Sequence, residues 1–251
     1  MRVFEANRDD VFFSRQLEVR HEGTFFHWVT NRALRALAAE GFVKTDERQL
    51  AWGGAVRLMW HRGNRYYKRR AAAVLELVEE YSAPNIAASL GLQGEAMVLE
   101  GFAGAEFVMR GRNAAAYAGR VWDKTEHDLD FIFERDGRAY GVEVKNTLAY
   151  MDHDELVTKM TMCAVLGLVP VFVVRMAPRT WVKEVGDAGG FVLILKHQLY
   201  PWSHRDLARR VAAELGLPVD APRALEAGTV KRFTNWHDRQ LNNPAPGTTY
   251  S

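Results

Sequence analysis

Residues 126–146, EHDLDFIFERDGRAYGVEVKN, restrict the fold of this chain more than any other stretch. Apolar and polar residues alternate on both sides of Asp136-Gly137, a dipeptide favoured in two-residue hairpin turns. With the turn centred there, residues whose numbers sum to 273 face each other across the ladder. Phe131 then meets Val142, Phe133 meets Tyr140 and Leu129 meets Val144, which gives one apolar face. On the opposite face Asp130 lies across from Glu143 and Asp128 across from Lys145. The period of two puts Glu143 and Lys145 side by side on that face.

As architecture alone, Asp130 opposite Glu143 is unfavourable. Directly opposed residues have Cβ atoms roughly 4.5–5.5 Å apart, where like charges repel. A divalent cation between them reverses the sign, and carboxylate oxygens with retained waters are what Mg²⁺ accepts. Lys145 beside such an ion is placed to orient or deprotonate a water, or to hold a phosphate oxygen as a point charge. The plainer alternative is a solvated hairpin face of alternating charge, because Asp, twelve residues, Glu, one residue, Lys is a loose pattern.

The text His-Asp-Leu-Asp130-Phe-Ile-Phe followed by Gly-Val-Glu143-Val-Lys145-Asn resembles the PD-(D/E)xK nuclease superfamily, which includes restriction endonucleases and archaeal Holliday junction resolvases. The likeness covers roughly residues 90–180, and Leu129 stands where the family name has proline. It implies an α/β (α+β) fold, a restriction-endonuclease-like mixed sheet flanked by helices. It also implies hydrolysis of DNA phosphodiester bonds with Mg²⁺, or Mn²⁺ in its place. The ion would be held by Asp130, Glu143 and the backbone carbonyl of Val144, with Lys145 completing the catalytic set. In this family a preceding helix often supplies a further acid. Glu95 and Glu100 are both available, and Glu95 is better spaced from the strand expected at residues 106–110. The alternative is a nucleic-acid-binding protein whose nuclease-like core is inert.

The amino-terminal part carries the basic text. Val29, Leu34, Leu37 and Ala38 recur at near-helical spacing, with Thr24 as N-cap and Gly41 as stop, and Val11–Val19 reads as a shorter helix. Two strand-like runs follow, 42–52 and 56–61, broken by Gly53-Gly54, and then a helix over 71–80. A helix followed by a hairpin resembles the second half of a winged helix-turn-helix domain. That likeness implies a DNA-contacting helix bearing Asn31, Arg32 and Arg35. Between Arg57 and Arg70 stand Arg57, Arg62, Arg65, Lys68, Arg69 and Arg70, no acidic residue, and the aromatics Trp60, Tyr66 and Tyr67. Cations of this kind bind phosphates and aromatics stack on bases. The alternative is aromatic core with an arginine rim. Pro84 divides a winged-helix-like domain, 1–84, from a nuclease domain with a carboxy-terminal helical extension, 85–251.

Beyond the hairpin, Asp152 with Glu155 has the form of a capping box, Leu156, Met160 and Cys163 mark a buried helix stripe, and Gly167 ends it. On this pattern Cys163 is core, and Lys159 either reaches the site or faces solvent, with solvent the preferred reading. VPVFVV at 169–174 has the continuous apolar character of a strand covered on both faces. A short helix (180–185), a fifth strand (191–196) and helices over 204–215 and 230–241 complete the pattern, and NNPAPGTTYS closes the chain with a disordered composition. Net charge is only +2, so the placement of charge matters more than its sum. One cysteine excludes an internal disulfide, and the eight histidines form no HExxH. The absence of an eighteen-residue apolar run and of a signal-peptide pattern leads us to expect a cytoplasmic protein with DNA, not a membrane, as its partner. Cutting both strands of a duplex takes two sites, which makes a homodimer compatible with this reading.

Overall fold

In a computed structural model describing residues 2–242, Asp136 and Gly137 both take left-handed backbone conformations, with φ of 51° and 71°. A two-residue hairpin turn of this kind requires positive φ at both positions, which Asp tolerates and Gly adopts freely. The expected register follows: Phe131 pairs with Val142, Phe133 with Tyr140 and Arg135 with Arg138. The terminal NNPAPGTTYS segment lies outside the described residues beyond Asn242.

The first elements are α1 (Arg2–Ala6), β1 (Val11–Phe13), α2 (Ser14–His21), α3 (His27–Ala39), β2 (Val43–Gln49), β3 (Ala55–His61) and α4 (Tyr67–Ser82). Then come α5 (Pro84–Gly104), β4 (Val108–Ala114), β5 (Ala116–Tyr117), β6 (Arg120–Val121), β7 (Leu129–Arg135) and β8 (Arg138–Lys145). The remainder includes α6 (His153–Leu166), β9 (Val169–Val174), α7 (Arg179–Asp187), β10 (Phe191–Ile194), α8 (Arg205–Leu215) and α9 (Ala227–Asn242). They divide into two compact units: residues up to 89 together with 203–220, and residues 90–202 together with those from 221 onward. No described helix is long and apolar enough to cross a membrane.

In the first unit β1, β3 and β2 form an antiparallel sheet in that order. Phe4, Phe12, Leu17, Leu34, Val43 and Met59 fill the core beneath it. Residues 11–19, expected as one helix, are split. Val11, Phe12 and Phe13 are all buried in a strand against β3, and the helix begins only at Ser14. Three consecutive buried apolar residues suit a strand covered on both faces and defeat a one-sided helix. Helix α3 is capped at Phe26 without a side-chain bond, and Thr24, the expected cap, lies two residues before Phe26. Helix α8 belongs to this unit, where Gln16 Nε2 donates to the Leu215 carbonyl at 2.8 Å and Arg210 pairs with Glu80 at 2.8 Å.

The second unit is a mixed α/β layer structure. Its sheet runs β10-β9-β8-β7-β4, antiparallel between β4, β7 and β8, and parallel between β8, β9 and β10. One face packs Phe131, Phe133, Tyr140, Val142 and Val171 against Val98 and Phe102 of α5 and Phe233 of α9. The other packs Ile132 against Met162, Cys163 and Leu166 of α6. Helix α6 approaches closely because residue 141 is glycine: a Cβ there would lie 2.6 Å from Cys163 Sγ. Leu129, expected on the Phe131 face, packs with Ile132 and Cys163 instead. Pairing of β7 with β8 ends at Phe131–Val142, so no ladder enforces the alternation beyond it. Beyond residue 110, β4 continues to Ala114 and the chain then forms the β5–β6 hairpin.

Directly after β8, Asn146 Nδ2 donates to the carbonyls of Leu90 and Leu199, both at 2.7 Å, and its Oδ1 accepts from the Leu199 N–H at 2.7 Å. Gly94 of α5 leaves room for this, since a Cβ at residue 94 would sit 2.5 Å from Asn146 Cβ. Gly94→Ala is therefore expected to push α5 off the end of β8 and to destabilise the fold by about 1–3 kcal/mol, although alanine is the better helix former. Thermal or urea unfolding of the two chains checks this; an equal or higher stability for the alanine variant would contradict the close approach.

Candidate active site

The open end of the β7–β8 hairpin gathers the acids expected from the sequence. Glu143 is 2 % exposed on the sheet face that meets α6, although it carries a charge. Asp130 sits just past the last β7–β8 pair and reaches across with its side chain, accepting the Val144 N–H at Oδ2, 2.6 Å away. The two carboxylates are close enough to interact. Burial first, and then the Glu143 charge, push the Asp130 carboxyl up from 3.8 to about 7, against the opposing pull of the Val144 N–H and Lys159. Asp130 and Glu143 therefore share one side of the sheet, beyond the end of the ladder rather than as a paired rung.

Two lysines hold Glu143. Lys145 Nζ is 2.9 Å from Glu143 Oε1 and 2.7 Å from Glu155 Oε1. Lys159 Nζ lies 2.6 Å from Glu143 Oε2 and also donates to the backbone carbonyl of Asp128. The sequence left Lys159 between the site and solvent, with solvent preferred. It is instead 4 % exposed, because it shares the buried stripe of α6 with Leu156, Met162, Cys163 and Leu166. Its spacing from Leu156, Met162 and Cys163 was the available signal: a lysine at i+3 from one apolar residue and i−3 and i−4 from others lies on the covered face. Asp128, expected across from Lys145, meets Lys159 through its carbonyl.

The helix start explains how Glu155 enters the site. Asp152 caps α6 by accepting from the Asp154 N–H, while Glu155 turns to Lys145 rather than closing a capping box. Burial disfavours the Lys145 ammonium, but the Glu143 charge and hydrogen bonds to Glu155 and Glu143 outweigh it and its pKa is raised. Lys145 is thus a cation and a hydrogen-bond donor here, and the role of proton acceptor does not suit it. Burial pushes the Cys163 thiol up to about 12, in keeping with a core residue and not a nucleophile.

Glu95 lies on α5, paired with Arg112 of β4 at 2.9 Å, and its charge is the weakest of those raising the Asp130 pKa. Glu100, on the same helix, is exposed. Among the described residues no group of three or more His, Cys, Asp and Glu side chains is placed to hold a metal ion. The donor set is a pair of hard carboxylate oxygens, of which Asp130 has no ammonium of its own. Such a pair fits one oxygen-seeking cation that keeps several waters, and not a zinc-type site.

In the first unit the residues expected to meet DNA separate into tied and untied groups. Asn31 donates to Glu18 at 2.8 Å, Arg57 pairs with Glu47 at 3.3 Å, and Arg62 lies over the Phe42 ring at 5.5 Å. Arg32 and Arg35 are exposed on α3, and Arg32 covers the half-exposed ring of Trp28, 5.4 Å from its centroid. Arg65, Lys68 and Arg69 are exposed, and none has an ion-pair partner among the described residues. Trp60, expected as a stacking candidate, is buried and stacks on Tyr67 at 4.1 Å, so it serves the core. Tyr66 is 90 % exposed, and Trp28, which no sequence pattern singles out, also reaches solvent, beneath Arg32.

No family model, curated protein or solved structure matches this chain.

The raised Asp130 pKa has a consequence for stability. The folded state keeps this proton to a higher pH than the unfolded chain, so the stabilisation is fully present below about pH 4 and falls as pH rises through about 7. Without added metal, Asp130→Asn, which keeps an acceptor for the Val144 N–H, is expected to raise stability at pH 8 by on the order of 2 kcal/mol and to change little at pH 4. Thermal melts at the two pH values test this, and an Asn variant no more stable than the parent at pH 8 would remove the electrostatic account of the pair.

Proposed function

We propose that this chain is a metal-dependent endodeoxyribonuclease with a restriction-endonuclease-like core and an amino-terminal winged-helix-like DNA-binding part. One observation carries the reading: a fully buried Glu143 beside an under-compensated Asp130, with the Lys145 ammonium on the same side of the hairpin. A charge pair of one sign is costly in a protein interior unless it serves a ligand, and sites with perturbed carboxyls are enriched in function. Asp130, Glu143 and the Val144 carbonyl would hold Mg²⁺ or Mn²⁺, with Glu95 close by. The bound ion would supply Lewis acidity toward a phosphodiester and lower the pKa of a water.

The protein's own part is positioning and charge. Asn146, bonded on both its nitrogen and its oxygen, fixes the end of β8 and so the direction of Lys145. Lys145 presents an ammonium to the transferring phosphorus group, where it stabilises charge that grows in the transition state. Arg32, Arg35, Arg65, Lys68 and Arg69 of the first unit supply phosphate contacts, with Trp28 and Tyr66 as stacking surfaces. A buried thiol suits a reducing cytoplasm, and two copies of the chain would be needed to cut both strands in concert.

Supercoiled plasmid with Mg²⁺ or Mn²⁺ tests the chemistry. Nicking or linearisation is expected from the parent chain, with a loss of at least about 100-fold in rate for Asp130→Ala and for Lys145→Ala. The second reading, an inert core in a DNA-binding protein, is favoured by the absence, among the described residues, of three acids placed together to hold a metal ion. It predicts a gel shift without cleavage by the parent chain. Combined Arg65→Ala, Lys68→Ala and Arg69→Ala substitution is expected to weaken DNA binding. The slope of log affinity against log salt should also fall by roughly one for each phosphate that is no longer neutralised. A slope unchanged by the triple substitution would move the DNA-binding surface elsewhere on the first unit.

A further inference from the structure

The two ammoniums on Glu143 are not equivalent. The Lys159 side chain is 5 % exposed, rises from the buried stripe of α6, and has a second anchor on the Asp128 carbonyl. Withdrawing it would take the cation from Glu143 Oε2 and the donor from the Asp128 carbonyl. The Lys145 side chain is 32 % exposed and is already shared with Glu155, so it can release Glu143 while keeping a carboxylate partner. Only one oxygen of Glu143, Oε1, is therefore open to exchange with an incoming cation. The other is held by a cation that is part of the fold.

We propose that Lys159 is a resident cation that sets the metal stoichiometry of this site at one. It occupies Glu143 Oε2 and the Asp128 carbonyl, the oxygens a second ion would use, and leaves Oε1 and the Asp130 carboxylate for a single divalent ion. Lys145 gives up Oε1 as that ion binds and stays on Glu155, which makes Glu155 the positioning residue for Lys145. The inference rests on the hydrolase reading above and specifies how that site is loaded.

Mn²⁺ alone, titrated into the full chain and followed by the loss of the free-ion electron paramagnetic resonance signal, counts the ions bound. The parent chain is expected to bind one, and Asp130→Ala none. Lys159→Ala vacates both charge and volume between Glu143 and Asp128 and is expected to bind two. Glu155→Gln, at a half-buried position that leaves the core intact, is expected to bind one ion about tenfold more weakly, because Lys145 then competes for Glu143. Two ions on the parent chain, or a folded Lys159→Ala chain that still binds one, overturns the inference. Should Lys159→Ala fail to fold, an unchanged Mn²⁺ affinity in Glu155→Gln overturns it. A parent chain that binds no Mn²⁺ and cleaves no plasmid instead removes the hydrolase reading itself.

Discussion

The second unit depends on how it accommodates the charge of Glu143. A carboxylate withdrawn from water costs several kcal/mol unless ionic partners and hydrogen bonds replace its hydration. Here one ammonium comes from the next-but-one residue of the same strand and one from the helix that crosses to the next strand. Glu143 thus binds β8 to α6 at the point where the hairpin ladder has ended. Nearby, among the described residues, Asp130 is held by a backbone donor without an ion pair, and the imbalance shows in its raised pKa. A fold built only for stability would place apolar residues at these positions; the acids survive because the sheet and α6 hold them rigidly.

The surrounding packing serves that rigidity. Gly141 lets α6 sit against the sheet, and Gly94 lets α5 come up to Asn146, which fastens the residue after Lys145 by three short hydrogen bonds. At the far end of the hairpin, Tyr140, His237 and Asp136 are linked through His237 to α9, which steadies the turn. Both ends of β8 are therefore tied to helices by polar contacts, and the middle is held by the aromatic cluster around Phe102, Phe107 and Phe233. Site geometry of this kind is set on strands and helices and not on loops, which is the arrangement that preserves sub-ångström placement.

Much of this was legible in order along the chain. Asp136-Gly137 predicts the turn because few residues tolerate positive φ, and the turn predicts the register because side chains alternate with period two. The parallel strand VPVFVV and the caps Asp152 and Gly167 were readable for the same local reasons. Lys159 was misplaced because long cationic side chains are usually solvated, and its burial is decided by a partner sixteen residues away in sequence on another element. Trp60 is core for a similar reason: an aromatic beside arginines is core or surface according to which face of the small sheet it takes. Pro84 suggested two consecutive pieces, yet α8 returns to the first unit through Gln16 and Glu80.

By itself, then, the sequence determined the hairpin turn, the register of its ladder from Phe131–Val142 to Arg135–Arg138, and the alternation of strands and helices that makes a mixed sheet. These follow from backbone sterics and side-chain period, which act over a few residues. Tertiary structure alone decided that Lys159 and Glu155 join the site, that Asp130 takes a backbone donor, and which arginines of the first unit have no ion-pair partner among the described residues. Such outcomes turn on desolvation and on charges brought together from separate elements, and neither is specified until the chain has closed on itself.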